Sequence, residues 1–126
     1  TACGGPTMGA DPIAYAVAYT SYLKGKPIKA FVVRKEPKGH GTGKLVEGDI
    51  GENDKVVIVE DVITTGASTL RAYKAIKSLG ANILGIVAIV VRPEEKEEEF
   101  LSLGVPIFSV FKVEELREAY MRKSFG

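Results

Sequence analysis

Residues 56–69 read VVIVEDVITTGAST. The apolar run 56–59 ends in two adjacent acids, Glu60 and Asp61, and then in a cluster of small hydroxyl residues around Gly66. A continuous apolar run bounded by turn residues is the pattern of a strand buried on both faces, and such strands belong to parallel sheets. From Gly66 the chain turns helical, with Ala67, Leu70, Tyr73, Ile76 and Leu79 making an apolar stripe at three-residue steps and Gly80 placed to cap it. Strand, polar turn, helix is the unit to which the rest of the chain has to fit.

The same alternation recurs outward. IKAFVV (28–33), ILGIVAIVV (83–91) and VPIFSVF (105–111) read as further buried strands. The spacing predicts helices over 11–24, with Asp11 as N-cap and Pro12 at the first helical position, over PEEKEEEFLSLG (93–104), and over VEELREAYMRK (113–123). In the last of these the acids lie early and the bases late, as the helix dipole favours. The opening CGGPTMGADP (3–12) reads as a glycine-rich turn, with Thr1 and Ala2 as the stub of one more strand. RKEPKGHGTGKLVEG (34–48) is almost free of apolar residues and reads as a long, flexible, exposed loop. The predicted architecture is α/β: a mainly parallel sheet flanked by helices, in a single domain over 1–126.

Bulk properties agree with a globular chain of this kind. Of the 126 residues 45% are hydrophobic and 26% charged, and no stretch approaches the ~18 apolar residues of a membrane span. A formal charge of +1 gives no general attraction to nucleic acid or anionic membrane, so any basic site must be local. Cys3 is the only cysteine, which rules out an internal disulfide and fits a reducing compartment.

Ligands of open parallel sheets sit at the carboxyl ends of the strands. Residues 4–11, 34–48, 60–69 and Arg92 all fall at such ends. At 64–68, backbone N–H groups, the hydroxyls of Thr64, Thr65 and Ser68 and a positive helix end can converge on a phosphate; the plainer reading is a helix cap. Glu60 and Asp61 weigh against the cap alone, because acids beside a phosphate nest need another partner, and carboxylates accept hydrogen bonds from vicinal hydroxyls or support a divalent cation through water. A sugar phosphate satisfies both halves. The bases Arg34, Lys35, Lys38, His40 and Lys44 suit either a solvated connector or a lid closing over a polyphosphate. GHGTGKL lacks the spacing of a nucleotide phosphate loop, and no serine or histidine has the context of a nucleophilic triad.

VVIVEDVITTGAST resembles the donor-binding motif of the type I phosphoribosyltransferases, RKEPKGHGTGKLVEG resembles the catalytic loop of the orotate-using branch, and GGPTMGADPIA resembles its diphosphate-contacting turn. The resemblance implies that Glu60 and Asp61 hold the ribose hydroxyls of 5-phosphoribosyl 1-diphosphate (PRPP), while Thr64, Thr65, Gly66, Ala67 and Ser68 wrap its 5-phosphate. It implies that Arg34, Lys35, Lys38 and His40 face the leaving diphosphate, that Thr7, Met8 and Gly9 contact substrate, and that Arg92 meets the orotate carboxylate. It further implies magnesium as cofactor, a cytoplasmic homodimer whose loop reaches the neighbouring site, and no nucleic-acid or membrane partner. Two departures stand out: Met8 occupies a position where several family members have lysine, and the family's N-terminal region, which helps close the orotate site, does not precede Thr1. The donor motif itself leaves open a phosphoribosyltransferase for another base, or a donor-sensing module without catalysis.

Overall fold

The protein, described by a computed structural model over residues 1–37 and 44–125, carries the run 56–59 in the interior of its sheet. The strands are β1 (Ala2–Pro6), β2 (Lys29–Val33), β3 (Val46–Glu47), β4 (Lys55–Ile63), β5 (Asn82–Val91) and β6 (Ile107–Lys112). Their order is β3-β2-β1-β4-β5-β6; every neighbouring pair is parallel except β2 with β3.

β4 divides its side chains between two cores. Val56 and Ile58 pack with Phe31, Ala72, Ile76 and Phe100 on the face covered by helix α2 (Ala67–Lys77). Val59 packs with Cys3, Ala10 and Ala14 on the face covered by α1 (Asp11–Leu23). Each such fully buried aliphatic side chain is worth about 1.5–3 kcal/mol, so apolarity on both faces of the strand is what fixes it centrally. The short helix α3 (Glu98–Leu101) and the C-terminal α4 (Val113–Phe125) complete the described chain.

The structure departs from the sequence reading at five places. The opening is not a turn throughout: Ala2–Pro6 is a central strand, and its glycines serve close packing, because a Cβ on Gly4 would strike Phe31 and one on Gly5 the Val59 carbonyl. The strand holding 56–60 does not stop at the acids but runs on to Ile63. The helix expected over 93–104 shrinks to Glu98–Leu101, since Lys96 Nζ donates to the Arg92 and Glu94 carbonyls, at 2.7 and 2.6 Å, and holds 92–96 as a non-helical turn. Asp11 is not the N-cap: Ala10 holds that place, and the Asp11 carboxylate instead accepts a hydrogen bond from the Thr7 hydroxyl at 2.7 Å. Within 34–48, Val46 and Glu47 form β3.

The connection β1–α1–β2 leaves toward one edge of the sheet and β4–α2–β5 toward the other. The carboxyl ends of β1 and β4 therefore meet at the point where the strand order reverses, the place where an open parallel sheet leaves a crevice.

Candidate functional site

Three strand ends supply the residues around that crevice. After β1, the turn Thr7–Gly9, with a cis Thr7–Met8 peptide, is anchored by the Thr7 N–H on the Val33 carbonyl at 2.9 Å. After β4, residues 64–66 lead into α2, whose N-cap Gly66 has φ +90°, a left-handed conformation that suits glycine. After β2, Arg34 donates its N–H to the Leu45 carbonyl at 2.8 Å and pairs with Glu47 at 3.3 Å.

The two acids of β4 differ in burial, and their carboxyl groups come close enough to interact. Glu60 is buried, 4% exposed, and its Oε2 accepts hydrogen bonds from Ser68 Oγ at 3.2 Å and Thr69 Oγ1 at 3.1 Å. Burial pushes its carboxyl up from the usual 4.5 to about 7; the Thr69 and Ser68 hydroxyls oppose the rise and the neighbouring Asp61 adds to it. Asp61 is exposed and accepts from the Val62 N–H at 2.8 Å. Its carboxylate lies against Gly9, where a Cβ would overlap it, so the turn after β1 and the acid on β4 form one wall.

A crevice of about 40 Å³ gathers Thr7, Arg34, Lys35, Ser68 and Arg71. Beside it an open hollow of about 680 Å³ runs along Thr7, Met8, Asp11, Tyr15, Arg34 and Lys35. The structure thus brings together the residues predicted at 7–8, 34–35, 60–61 and 64–68. Arg92, at the end of β5, donates its N–H to the Ile63 carbonyl at 2.8 Å, while its guanidinium pairs with Glu94 at 2.9 Å. Lys38 and His40 lie outside the described residues.

Three residues were missed in the sequence. Arg71 follows Ser68 by three positions and shares its helix face, a spacing that could have revealed it. Thr69, fully buried against Glu60, and Phe100, beneath Gly66, are tertiary contacts with no local signal. Among the described residues no group of three or more His, Cys, Asp or Glu could hold a metal ion, and no helix is long and apolar enough to cross a membrane. The arrangement can bind an anion at 64–68, a second anion at the basic crevice, and hydroxyls at the acids between them.

Known proteins share the sequence pattern and the fold. Residues 5–111 match the family model described as "Phosphoribosyl transferase domain". An orotate phosphoribosyltransferase of Aquifex aeolicus is 50% identical over 115 residues, covering 91% of this chain and 63% of the relative. One from Thermococcus gammatolerans is 48% identical over 114 residues, covering 90% and 58%. The crystal structure of Mycobacterium tuberculosis orotate phosphoribosyltransferase in complex with PRPP superposes with a TM-score of 0.76 at 36% identity, covering 91% of this chain and 64% of that one. The chain thus spans about three fifths of the length of the curated relatives it matches.

Proposed function

Because the chain belongs to the phosphoribosyl transferase domain family, in its type I branch and most similar to orotate phosphoribosyltransferases, we propose that it transfers the 5-phosphoribosyl group of PRPP to orotate, releasing diphosphate and giving orotidine 5-phosphate. The observation that supports this reading is that the Gly9 turn lies against the Asp61 carboxylate while Thr7 and Ser68 share a crevice with Arg34, Lys35 and Arg71, as a sugar phosphate carrying a diphosphate would require. Orotate as acceptor is supported by the activity named for the relatives and by a cationic residue, Arg92, at the neighbouring strand end.

In this mechanism Glu60 and Asp61 accept hydrogen bonds from the ribose hydroxyls, and the N–H groups and hydroxyls of 64–68 hold the 5-phosphate. Thr7, Met8 and Gly9 offer backbone N–H groups to the diphosphate, with Arg34, Lys35, Lys38 and His40 adding positive charge where the leaving oxygen becomes negative. Arg92 orients orotate through its carboxylate. N1 of orotate bonds to the anomeric carbon as the bond to diphosphate breaks, with inversion through an oxocarbenium-like state, and the N1 proton passes to the departing diphosphate. Magnesium belongs to the proposal as the donor's companion: it binds through few carboxylates plus substrate phosphates, which fits an exposed Asp61 beside a buried Glu60. Its contribution is to neutralise diphosphate charge. The reading includes a cytoplasmic homodimer.

The test follows orotate absorbance with PRPP and magnesium, in this chain and in a form extended to the length of the relatives. Loss of orotate absorbance that ceases in Arg92→Ala is the expected result. Turnover of another base in its place would overturn the acceptor, and PRPP binding with no turnover of any base in the extended form would overturn catalysis.

A further inference from the structure

The segment after β5 does more than carry Arg92. It folds back along the outside of the 64–66 loop and touches it at successive points. The Arg92 N–H reaches the Ile63 carbonyl at 2.8 Å, the Glu97 N–H reaches the Thr65 carbonyl at 2.9 Å, and the ring of Phe100, 2% exposed, fills the space into which a Gly66 side chain would project. Lys96 stiffens the segment through its bonds to the Arg92 and Glu94 carbonyls, and Glu99 is tied to Lys74 of α2 at 2.6 Å. Apart from Thr65 and Gly66 themselves, none of the residues making these contacts belongs to the 64–68 motif.

The Glu97 contact has a directional effect. The peptide unit is planar and, when trans, its C=O and N–H point opposite ways, so fixing the Thr65 carbonyl on Glu97 turns the Gly66 N–H away from the segment, toward the mouth of the loop. Phe100 acts on the same unit from below. With Gly66 at φ +90°, its Cα rests on the ring, and the loop cannot sink without displacing a buried aromatic side chain. An anion nest binds well only when its N–H groups are already aimed, because reorganising them consumes binding energy.

We infer that residues 92–100 form a strap that pre-aims the phosphate-binding loop, with the Glu97 N–H and the Phe100 ring as its positioning groups, acting through Thr65 and Gly66 on a sugar 5-phosphate. This rests on the donor-site reading above, and it concerns residues that do not themselves touch the donor.

Glu97 permits a test directed at one hydrogen bond. Its φ of −62° and ψ of 138° suit proline, so Glu97→Pro removes the N–H at no cost in φ and sets its ring carbon against the Thr65 carbonyl, pushing that carbonyl off its anchor, whereas Glu97→Ala keeps the N–H. Calorimetric titration with ribose 5-phosphate, and separately with magnesium diphosphate, is done on the chain, on both Glu97 variants and on Phe100→Leu, below each melting point. Glu97→Pro and Phe100→Leu are expected to weaken ribose 5-phosphate about 10-fold relative to magnesium diphosphate, with Glu97→Ala near the unaltered chain. General destabilisation would lower both ligands together and leave that ratio unchanged. If the unaltered chain binds ribose 5-phosphate and Glu97→Pro binds it as tightly as Glu97→Ala, the strap is refuted while the donor site stands. If the unaltered chain does not bind ribose 5-phosphate at all, both fall.

Discussion

Replacing Glu60 with glutamine should make the protein more stable at pH 8 and scarcely change it at pH 5. The folded chain holds this carboxyl protonated up to about 7, because burial disfavours the charged form, while the unfolded chain ionises near 4.5. Below 4.5 both states carry the proton and the group is silent. Between 4.5 and 7 the folded state binds more protons than the unfolded one, so stability falls as pH rises, and above 7 the loss is complete. The full shift would amount to about 3 kcal/mol, which relaxation of the surroundings around the ionised carboxylate reduces to about 2 kcal/mol. Asp54 does not confuse the measurement. Its carboxyl is held down to about 2 by the Gly51 N–H, Thr1 and Lys29, so its contribution is present above 3.8 and is lost only as pH falls through 2. Glutamine keeps an oxygen for the Ser68 and Thr69 hydroxyls and turns an amide donor toward Asp61. Urea unfolding at pH 5 and pH 8 is the assay: Glu60→Gln should show a flat profile against the sloping unaltered chain, and a gain at pH 8 of about 3–5 °C in melting temperature per kcal/mol. Thr69→Val, which removes one of the two hydroxyl donors, should steepen the slope. Equal slopes in the unaltered chain and Glu60→Gln would refute the assignment of the proton to this residue.

Two further outcomes are expected. Gly5→Ala places a methyl group on the Val59 carbonyl in the middle of the sheet and should cost about 3 kcal/mol or more, read as a loss of the cooperative unfolding transition at ordinary temperature. Arg71→Ala should weaken magnesium diphosphate about 5-fold at low ionic strength and much less at about 1 M salt, where the Debye length is about 3 Å; a loss independent of salt would show that Arg71 acts by packing.

The parts of the molecule legible in the sequence are those governed by local pattern. β4, β5 and α2 could be read because runs such as 56–59 and 83–91 are apolar without alternation and the stripe from Ala67 to Ile76 keeps helical phase. The acids and the 64–68 loop could be read because their chemistry conflicts unless a ligand reconciles it. What could not be read depends on contacts distant in sequence. Gly4 and Gly5 look like turn residues until Phe31 and Val59 are seen to press on them, and only then is β1 a strand. Glu60 and Asp61 look equivalent until the strand continues past them and leaves one buried and the other exposed. The acidic stretch 94–99 has helical composition, but Lys96 spends its charge on two carbonyls that a helix would have used itself.

The far edge of the sheet has a practical consequence. Among the described residues β6 pairs with β5 alone, and Ile107, Phe108, Val110 and Phe111 are 40% exposed or more. A bare strand rich in aromatic and β-branched residues is a template for further strands. Shelf life in a concentrated sample will therefore depend on that rim rather than on the well-filled interior: turbidity should rise with protein concentration well below the melting point, and a lysine at Phe108 or Val110 would be the first change to try when preparing material for crystals or for spectroscopy.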